Sequence, residues 1–262
     1  MHSRLLRTID LSCQEKNAMF SLLGNHFKGV KRDVFESDLS NKNWVILLED
    51  KNTKQLKGFS TLLMYNTQFQ GENISVVYSG DTIVDPSAWS SSSLSRTWIS
   101  SVNKLRKEYS QGKLYWLLIS SGFRTYRFLP IFWKEFYPRY DIVTPKNISA
   151  LMKFLARERF GEYYDENTGV VRFPYPHVLE KELLTIPSER MEDRHIEFFA
   201  LQNPGYIKGE ELVCITEITE SNLTSAGKRM WFTNSPPLDK NTPLPITNYQ
   251  LPITNHQLPI TN

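Results

Sequence analysis

The pattern of apolar and polar positions predicts helices first and an antiparallel meander after them. Apolar side chains recur at helical spacing in 14–27 and 31–39, which predicts two N-terminal helices. The next apolar segments alternate with polar turns, as in strands joined by hairpins. These predicted strands span 43–49, 57–68 and 73–84, and a bulge is expected at Gly80.

A crossover unit follows the meander. Segment 94–109 carries apolar residues at helical spacing with basic residues on its other face, and 113–120 is the near-continuous apolar run typical of a buried strand. A strand, a helix and a second strand in this order form a right-handed parallel unit. The remaining predicted elements are a helix over 122–136 that Pro130 interrupts, a helix over 144–160, an irregular stretch over 161–192, and strands over 195–201 and 211–218.

This element order predicts an α+β fold with a mixed, mostly antiparallel central sheet flanked by helices. We expect residues 1–233 to form one domain and 234–262 to be a disordered extension. The end of the chain repeats LPITN every seven residues. Proline in each unit blocks a helix, and the repeat has too little apolar mass to offset the entropy of ordering.

Composition narrows the classes of protein that the chain can represent. No apolar run approaches the roughly 20 residues of a membrane span, and no secretory apolar segment follows the N-terminus. The only cysteines, Cys13 and Cys214, cannot build a disulfide framework, so we expect a cytoplasmic protein. The five histidines lack metal-ligand spacing, and no metal site is predicted.

Charge is concentrated in one part of the chain. The chain carries a net charge of +3, whereas 96–139 holds nine basic residues against Glu108 and Glu135, an excess of seven. Such an excess favours a phosphate-bearing ligand or an acidic partner, unless these residues only form a solvated face. Nothing specific in this segment favours nucleic acid, which is not expected as a partner.

The junction from predicted strand to predicted helix reads VDPSAWSSSSLSR over 84–96. A helix N-terminus offers unpaired backbone N–H groups that bind anions, and serine hydroxyls add donors. The alternative is ordinary helix capping, for which serine is also well suited.

The element order and this junction resemble the GNAT superfamily of acyl-CoA-dependent N-acyltransferases. Val84-Asp85-Pro86 matches the V-x-P segment that ends the fourth strand of that family, and 89–94 takes the place of its [RQ]-x-x-G-x-[GA] pyrophosphate loop. Trp89, Ser92 and Leu94 depart from that loop's residues. The resemblance covers about 5–136, and 196–218 would supply the last two strands. Segments 121–139 and 203–216 look like cyanobacterial GNAT-like proteins, among them maturases that fatty-acylate lysine or ornithine side chains of ribosomal peptides.

The resemblance implies an N-acyltransferase with acyl-CoA or acyl-carrier protein as the donor. Its acceptor would be an amine, with a lysine or ornithine side chain of a precursor peptide as a candidate. The alternative is a degenerate GNAT-like binding module. The donor-binding positions implied are Ile83, Val84, Trp89, Ser90, Ser91, Ser92, Ser93, Leu94, Ser95, Arg96 and Arg124.

Catalytic positions follow from the same resemblance. Asp81 is the candidate general base, unless it is a surface carboxylate beside the bulge, and Tyr126 or Tyr137 is the candidate acid. A group of aromatic residues lines a slot for a long acyl chain or, alternatively, belongs to the core. These residues are Phe123, Phe128, Phe132, Trp133 and Phe136.

Overall fold

A computed structural model describes residues 1–233 of the chain; the predicted extension at 234–262 lies outside the described residues. The helices are α1 (Cys13–Gly24), α2 (Arg32–Ser40), α3 (Ser93–Tyr109), α4 (Phe123–Tyr126), α5 (Phe128–Phe132), α6 (Lys146–Phe160), α7 (Lys181–Leu184), α8 (Arg194–Gln202) and α9 (Ser225–Trp231). The strands are β1 (His2–Arg7), β2 (Phe27–Lys28), β3 (Trp44–Glu49), β4 (Leu56–Phe69), β5 (Glu72–Val84), β6 (Lys113–Ser120), β7 (Tyr164–Asp165), β8 (Val170–Val171), β9 (Val178–Leu179) and β10 (Glu211–Glu217).

The central sheet has the strand order β1-β3-β4-β5-β6-β10-β8-β7. Strands β5 and β6 run parallel, whereas every other neighbouring pair in this sheet is antiparallel. The α+β class, the meander and the parallel crossover through α3 are therefore confirmed. Strands β2 and β9 form a separate two-stranded sheet.

Helices cover both faces of the sheet. On one face, α3 packs Leu94, Trp98 and Val102 into the largest core cluster, and α9 lies against α3. On the other face, α6 covers β5, β6 and β10, while α1 and α2 cover β3 and the end of β5. Apolar side chains thus point to both sides of the central strands, which explains their near-continuous apolar sequences.

The expected bulge lies in β5, directly after the last residue of β5 that pairs with β6. Leu62 pairs with Ser79, but Ser60 pairs with Thr82, so Gly80 and Asp81 together oppose one residue of β4. Ser79 is fixed from the α3 side, because the indoles of Trp98 and Trp116 both donate hydrogen bonds to its Oγ at 3.2 and 3.0 Å.

Several sequence predictions were wrong. Segment 195–201, predicted as a strand, lies in helix α8. The side chain of Asp193 caps this helix by accepting a hydrogen bond from the N–H of His195. Ile196 and Phe199 are buried at helical spacing. Of the last two expected strands, only β10 therefore exists. The predicted helix over 122–136 splits at Arg127 and ends at Phe132, because Pro130 has no N–H to continue the helix from α4. Strand β1 was not predicted.

Candidate functional site

A cleft opens where β5 and β6 separate. The parallel pairing runs to Ser79 and Leu118, and beyond the bulge β5 continues without pairing to β6. A cavity of about 350 Å³ lies there, on the sheet face covered by α2. Its lining includes Tyr78 and Asp81 of β5, Ile119 of β6 and Glu211 of β10. Three strands of the sheet therefore contribute side chains to one site.

The end of β5 presents an open backbone edge. The Asp85 N–H donates to the Lys57 carbonyl, so in the antiparallel ladder Ile83 and Asp85 face β4. Thr82 and Val84 then direct their backbone groups away from β4, toward the gap beside β6. The Val84 carbonyl accepts a hydrogen bond from the Trp89 indole at 2.8 Å. The N–H groups of this edge are suited to hold a ligand that lies along β5.

A lysine passes beneath the cleft beside Gly80. A Cβ at Gly80 would lie 2.5 Å from Cε of Lys42 and 2.6 Å from Oγ1 of Thr61, so only glycine leaves room for this lysine. The Lys42 side chain is fully buried and donates to Asp38 Oδ1 at 2.6 Å. Burial lowers the pKa of Lys42, while the Asp38 carboxylate opposes that change.

Two carboxyl groups at the cleft floor have strongly shifted pKa values. Burial raises the pKa of Asp81 to about 7; the charge of Asp38 adds to this rise and that of Lys42 opposes it. Burial, followed by the charges of Asp81 and Asp38, raises the pKa of Glu211 to about 8. A carboxyl group with a pKa near 7 is suited to take up and release protons at neutral pH.

The segment 173–179, which we call the strap, covers the cleft. Its β9 residues pair with β2, so that Leu179 lies opposite Phe27. Phe173, Pro174, Tyr175 and His177 of the strap line the cavity. The irregular region expected at 161–192 therefore contributes walls to the site.

The serine-rich segment uses many of its backbone N–H groups internally. Ala88, Trp89 and Ser91 donate to carbonyls within 85–88, and Ser93 donates to the Ser91 hydroxyl. Ser92 precedes α3 without a side-chain cap, and Arg96 contacts the Ser92 hydroxyl at 3.3 Å. Leu94 and Ser95 are buried. The amides of Ala88, Trp89, Ser91 and Ser93 are therefore already engaged within the segment.

Trp89 and Arg124 form a stack next to the end of β5. The Arg124 guanidinium lies 4.5 Å from the ring centroids of both Trp89 and Phe123, and it donates to the Leu183 carbonyl at 2.5 Å. Trp89 remains 44% exposed. An exposed aromatic face beside a guanidinium can hold a planar or anionic group of a ligand.

The predicted tyrosines lie away from the cavity lining. Tyr126 is fully buried, and its hydroxyl donates to the Pro138 carbonyl at 2.9 Å. Tyr137 packs beside the second core cluster and pairs through its backbone with Ile215. Burial raises the pKa of both tyrosines. Tyr78, by contrast, lines the cleft.

The aromatic group around α4 and α5 belongs to the core. Phe123, Phe132, Trp133 and Phe136 are buried in the cluster that contains Trp98 and Trp116, and Phe128 packs against it. None of them lines the cavity described above. The core alternative left open by the sequence therefore accounts for this group.

The basic excess over 96–139 is dispersed. Arg127 pairs with Asp193, Arg139 with Asp141 and Lys113 with Glu217, while Arg106 stacks on Trp231. Of this segment's cations, Arg96 and Arg124 lie at the serine-rich segment or the Trp89 stack.

Sequence reasoning missed Glu211, Lys42 and the strap. Glu211 carried a usable signal, since it shares the strand face of the buried Val213 and Ile215, where a carboxylate is unusual. Lys42 carried none, because it precedes a strand at a position where lysine is ordinarily exposed.

In the part of the chain that the structure describes, no helix is long and apolar enough to cross a bilayer, and no group of three His, Cys, Asp or Glu residues forms a candidate metal site.

Comparisons with known proteins give similarity at the level of solved structures. No protein-family model matches the chain, and neither does any curated protein. The GNAT family N-acetyltransferase YhbS from Escherichia coli, in complex with CoA, is 14% identical over 46% of this chain and 62% of that one, with a TM-score of 0.34. N-myristoyltransferase from Saccharomyces cerevisiae with bound myristoyl-CoA is 14% identical over 45% and 31% (TM-score 0.35).

A third similar structure covers more of the chain. It is a conserved protein of unknown function from Enterococcus faecalis V583, named a probable N-acyltransferase. It is 11% identical over 84% of this chain and 66% of that one, with a TM-score of 0.39.

Proposed function

We propose that the protein is an N-acyltransferase that moves an acyl group from a thioester donor to an amine. The observation that carries this proposal is Asp81, a carboxyl group with a pKa near 7 at the point where β5 leaves β6. An amine must lose a proton to attack a carbonyl carbon, and Asp81 is placed to accept that proton. The open edge of β5 lies next to it.

In the proposed reaction the amine nitrogen bonds to the thioester carbonyl carbon, and the carbon–sulfur bond breaks. The sulfur leaves with the bonding electron pair as a thiolate. A backbone N–H of Thr82 or Val84 on the open edge would donate to the oxyanion that forms in between. Tyr126 or Tyr137 is the proposed acid that protonates the departing thiolate, although neither residue lines the cleft.

The donor we propose is acyl-CoA or acyl-carrier protein, whose pantetheine amides suit an open strand edge. CoA and myristoyl-CoA are the ligands named for two of the similar structures. The proposed contacts remain Ile83 and Val84 on β5, the serine-rich residues 90–95, and Trp89, Arg96 and Arg124. Ile83 faces β4 with both its backbone groups, so its contribution would be to hold the strand. We further propose that the acyl group is a fatty acyl group and that the acceptor is a ribosomal peptide, which the transfer matures. The proposed location of the protein is the cytoplasm.

A second candidate is a binding module without turnover. The internal hydrogen bonds of 85–93 favour it, since they occupy amides that would otherwise hold a diphosphate. The two candidates differ in one observable: only the enzyme converts an amine to an amide.

Thermal unfolding of the full chain tests the donor. Titration with acetyl-, octanoyl- and palmitoyl-CoA should raise the midpoint with concentration, because a ligand that binds only the folded state stabilises it. The chain length that gives the largest shift identifies the acyl group. No shift with any of these thioesters, and none with acyl-carrier protein, would refute the proposed donor class.

A further inference from the structure

Asp81 and Glu211 face the same cleft from two strands that β6 separates. Ile83, two residues after Asp81, packs with α1 and α2, while Val213, two residues after Glu211, packs with α6 on the same sheet face. Ile119 of β6 lies between the two strands and opposite Val213. Both carboxyl groups line the cavity.

Neither carboxyl group has a partner within residues 1–233. Asp81 and Glu211 make no side-chain hydrogen bond or ion pair there. Three cations near this region have partners: Lys42 binds Asp38, Arg159 stacks on the ring of Tyr78, and Arg172 binds Asp165 and Glu210. Among the described residues that line the cavity, none is a lysine or an arginine. Desolvation of these two carboxyl groups costs free energy that Lys42, already bound to Asp38, offsets only in part at Asp81, so a further cation that joins the pair would stabilise it.

We propose that Glu211 and Asp81 together bind the protonated amino group of the amine acceptor. The inference rests on the proposed function and adds Glu211 as a substrate-binding residue. A primary ammonium group carries one positive charge and three N–H donors, so it can bond to both carboxylates at once. A neutral aromatic amine or an alcohol cannot supply that charge.

The proton balance uses both carboxylates. The ammonium group gives one proton to Asp81 and becomes a neutral amine that attacks the thioester carbon. The new C–N bond leaves the nitrogen with one proton more than an amide holds, and Glu211 accepts it as the thiolate departs. One ammonium, one thioester and two carboxylates thus give one amide, one thiolate and two carboxylic acids.

The walls of the cleft specify the rest of the acceptor. Phe27 from β2 and Phe173 and Tyr175 from the strap line the same cavity as the two carboxylates. These aromatic walls favour an apolar alkyl chain on the amine, because such a chain buries its surface against them.

Steady-state kinetics of the full chain with n-butylamine and the best acyl-CoA tests the inference. Glu211→Gln keeps the size of the side chain and should raise the KM for the amine by about 10- to 100-fold, as expected for loss of a charge-assisted hydrogen bond. The KM for acyl-CoA should change little, whereas kcat should fall as well, because Glu211 also accepts the second proton in the proposed reaction. Glu210→Gln is the matched control: it removes the same charge one residue away, where Glu210 pairs with Arg172 outside the cavity.

Binding of n-butylammonium measured by calorimetry, with butan-1-ol as the neutral control, separates the two proposals. If the wild type binds the ammonium in a Glu211-dependent way but transfers no acyl group, the proposed function fails and the site stands. If acyl transfer occurs and Glu211→Gln keeps the wild-type KM for the amine, the role of Glu211 is refuted. Equal binding of butan-1-ol and n-butylammonium would also refute it.

Discussion

The protein around Asp81 disfavours the ionised form of its carboxyl group. The residue lies beside the bulge of β5, close to Asp38, and burial raises its pKa to about 7. A carboxylate in such a place lowers stability, and groups with strongly shifted pKa values cluster at functional sites. At the residue scale, the raised pKa of Asp81 can therefore be measured through stability, without knowledge of the substrate.

Asp81→Asn should stabilise the protein more at pH 8 than at pH 5. An unfolded aspartate ionises near pH 4, whereas Asp81 in the fold ionises near pH 7, so the folded state binds more protons in between. The wild type therefore loses unfolding free energy as the pH rises from about 4 to about 7, and asparagine avoids this loss. Urea unfolding at both pH values measures the difference.

The control for this prediction is Asp50→Asn. Asp50 accepts hydrogen bonds from the backbone of Asn52 and Thr53, which hold its pKa below the usual range. Its effect on stability should be the same at pH 5 and pH 8, because Asp50 is ionised in both states at both values. An equal effect of Asp81→Asn at the two pH values would contradict the raised pKa.

Tyr126→Phe and Tyr137→Phe separate a structural hydroxyl from a catalytic one. The Tyr126 hydroxyl is buried and bonded to Pro138, so its removal should cost about 1 kcal/mol of unfolding free energy. Urea unfolding measures this cost. If one of the two tyrosines is the acid, its variant should also lose turnover, and full turnover in both variants would exclude both from that role.

At the scale of elements, the bulge and the cleft form one unit. Gly80 lets Lys42 pass below β5, Lys42 holds Asp38, and these two charges act on Asp81 in opposite directions. The turn of β5 away from β6 therefore creates the open edge and also places charge around the base.

Gly80→Ala should lower the unfolding free energy by about 1–3 kcal/mol, the usual cost of overpacking a buried site. The added methyl group would overlap Lys42 Cε and Thr61 Oγ1 and displace the lysine. Gly24→Ala in α1 is the control, because a Cβ there meets no atom within 4 Å and helix propensity favours alanine. Similar effects of both substitutions on urea unfolding would contradict the packing described for Gly80.

Hydrophobic periodicity predicted most of the elements that frame the cleft, because β3 to β6 and α3 each bury a regular pattern of apolar residues. It failed at α8, where the segment from His195 to Leu201 carries both an alternating and a helical pattern, and the cap at Asp193 decides for the helix. Asp81 was predicted from the element order, whereas Glu211 reaches the same cleft through pairing between distant segments. The apolar face of β10 marks Glu211 as unusual, but its place beside Asp81 depends on the tertiary structure and leaves no local signal.

At the scale of the whole molecule, the described residues 1–233 supply the sheet, its covering helices and the cleft residues named above. The strap connects the C-terminal half of the chain to its N-terminal helices, since β9 pairs with β2, which lies between α1 and α2 in the chain. The site thus draws on segments from residue 27 to residue 211, and its integrity depends on the complete sheet.

Removal of residues 234–262 should leave the thermal midpoint and the acyl-CoA affinity unchanged within error. The sequence of this segment predicts that it adds no packed surface to the domain. Thermal unfolding of the full and shortened chains, with and without acyl-CoA, checks this expectation. A lower midpoint or weaker donor binding in the shortened chain would show that the segment contributes to the fold or the site.

If the cleft transfers an acyl group with Asp81 as the base, mass spectrometry of reactions that contain the full chain, an acyl-CoA and primary amines will detect the product. We expect an amide product whose rate of formation falls by about 10²- to 10⁴-fold in Asp81→Asn, as for loss of a general base. Absence of any amide across all donors and amines, or an unchanged rate in Asp81→Asn, would contradict the account.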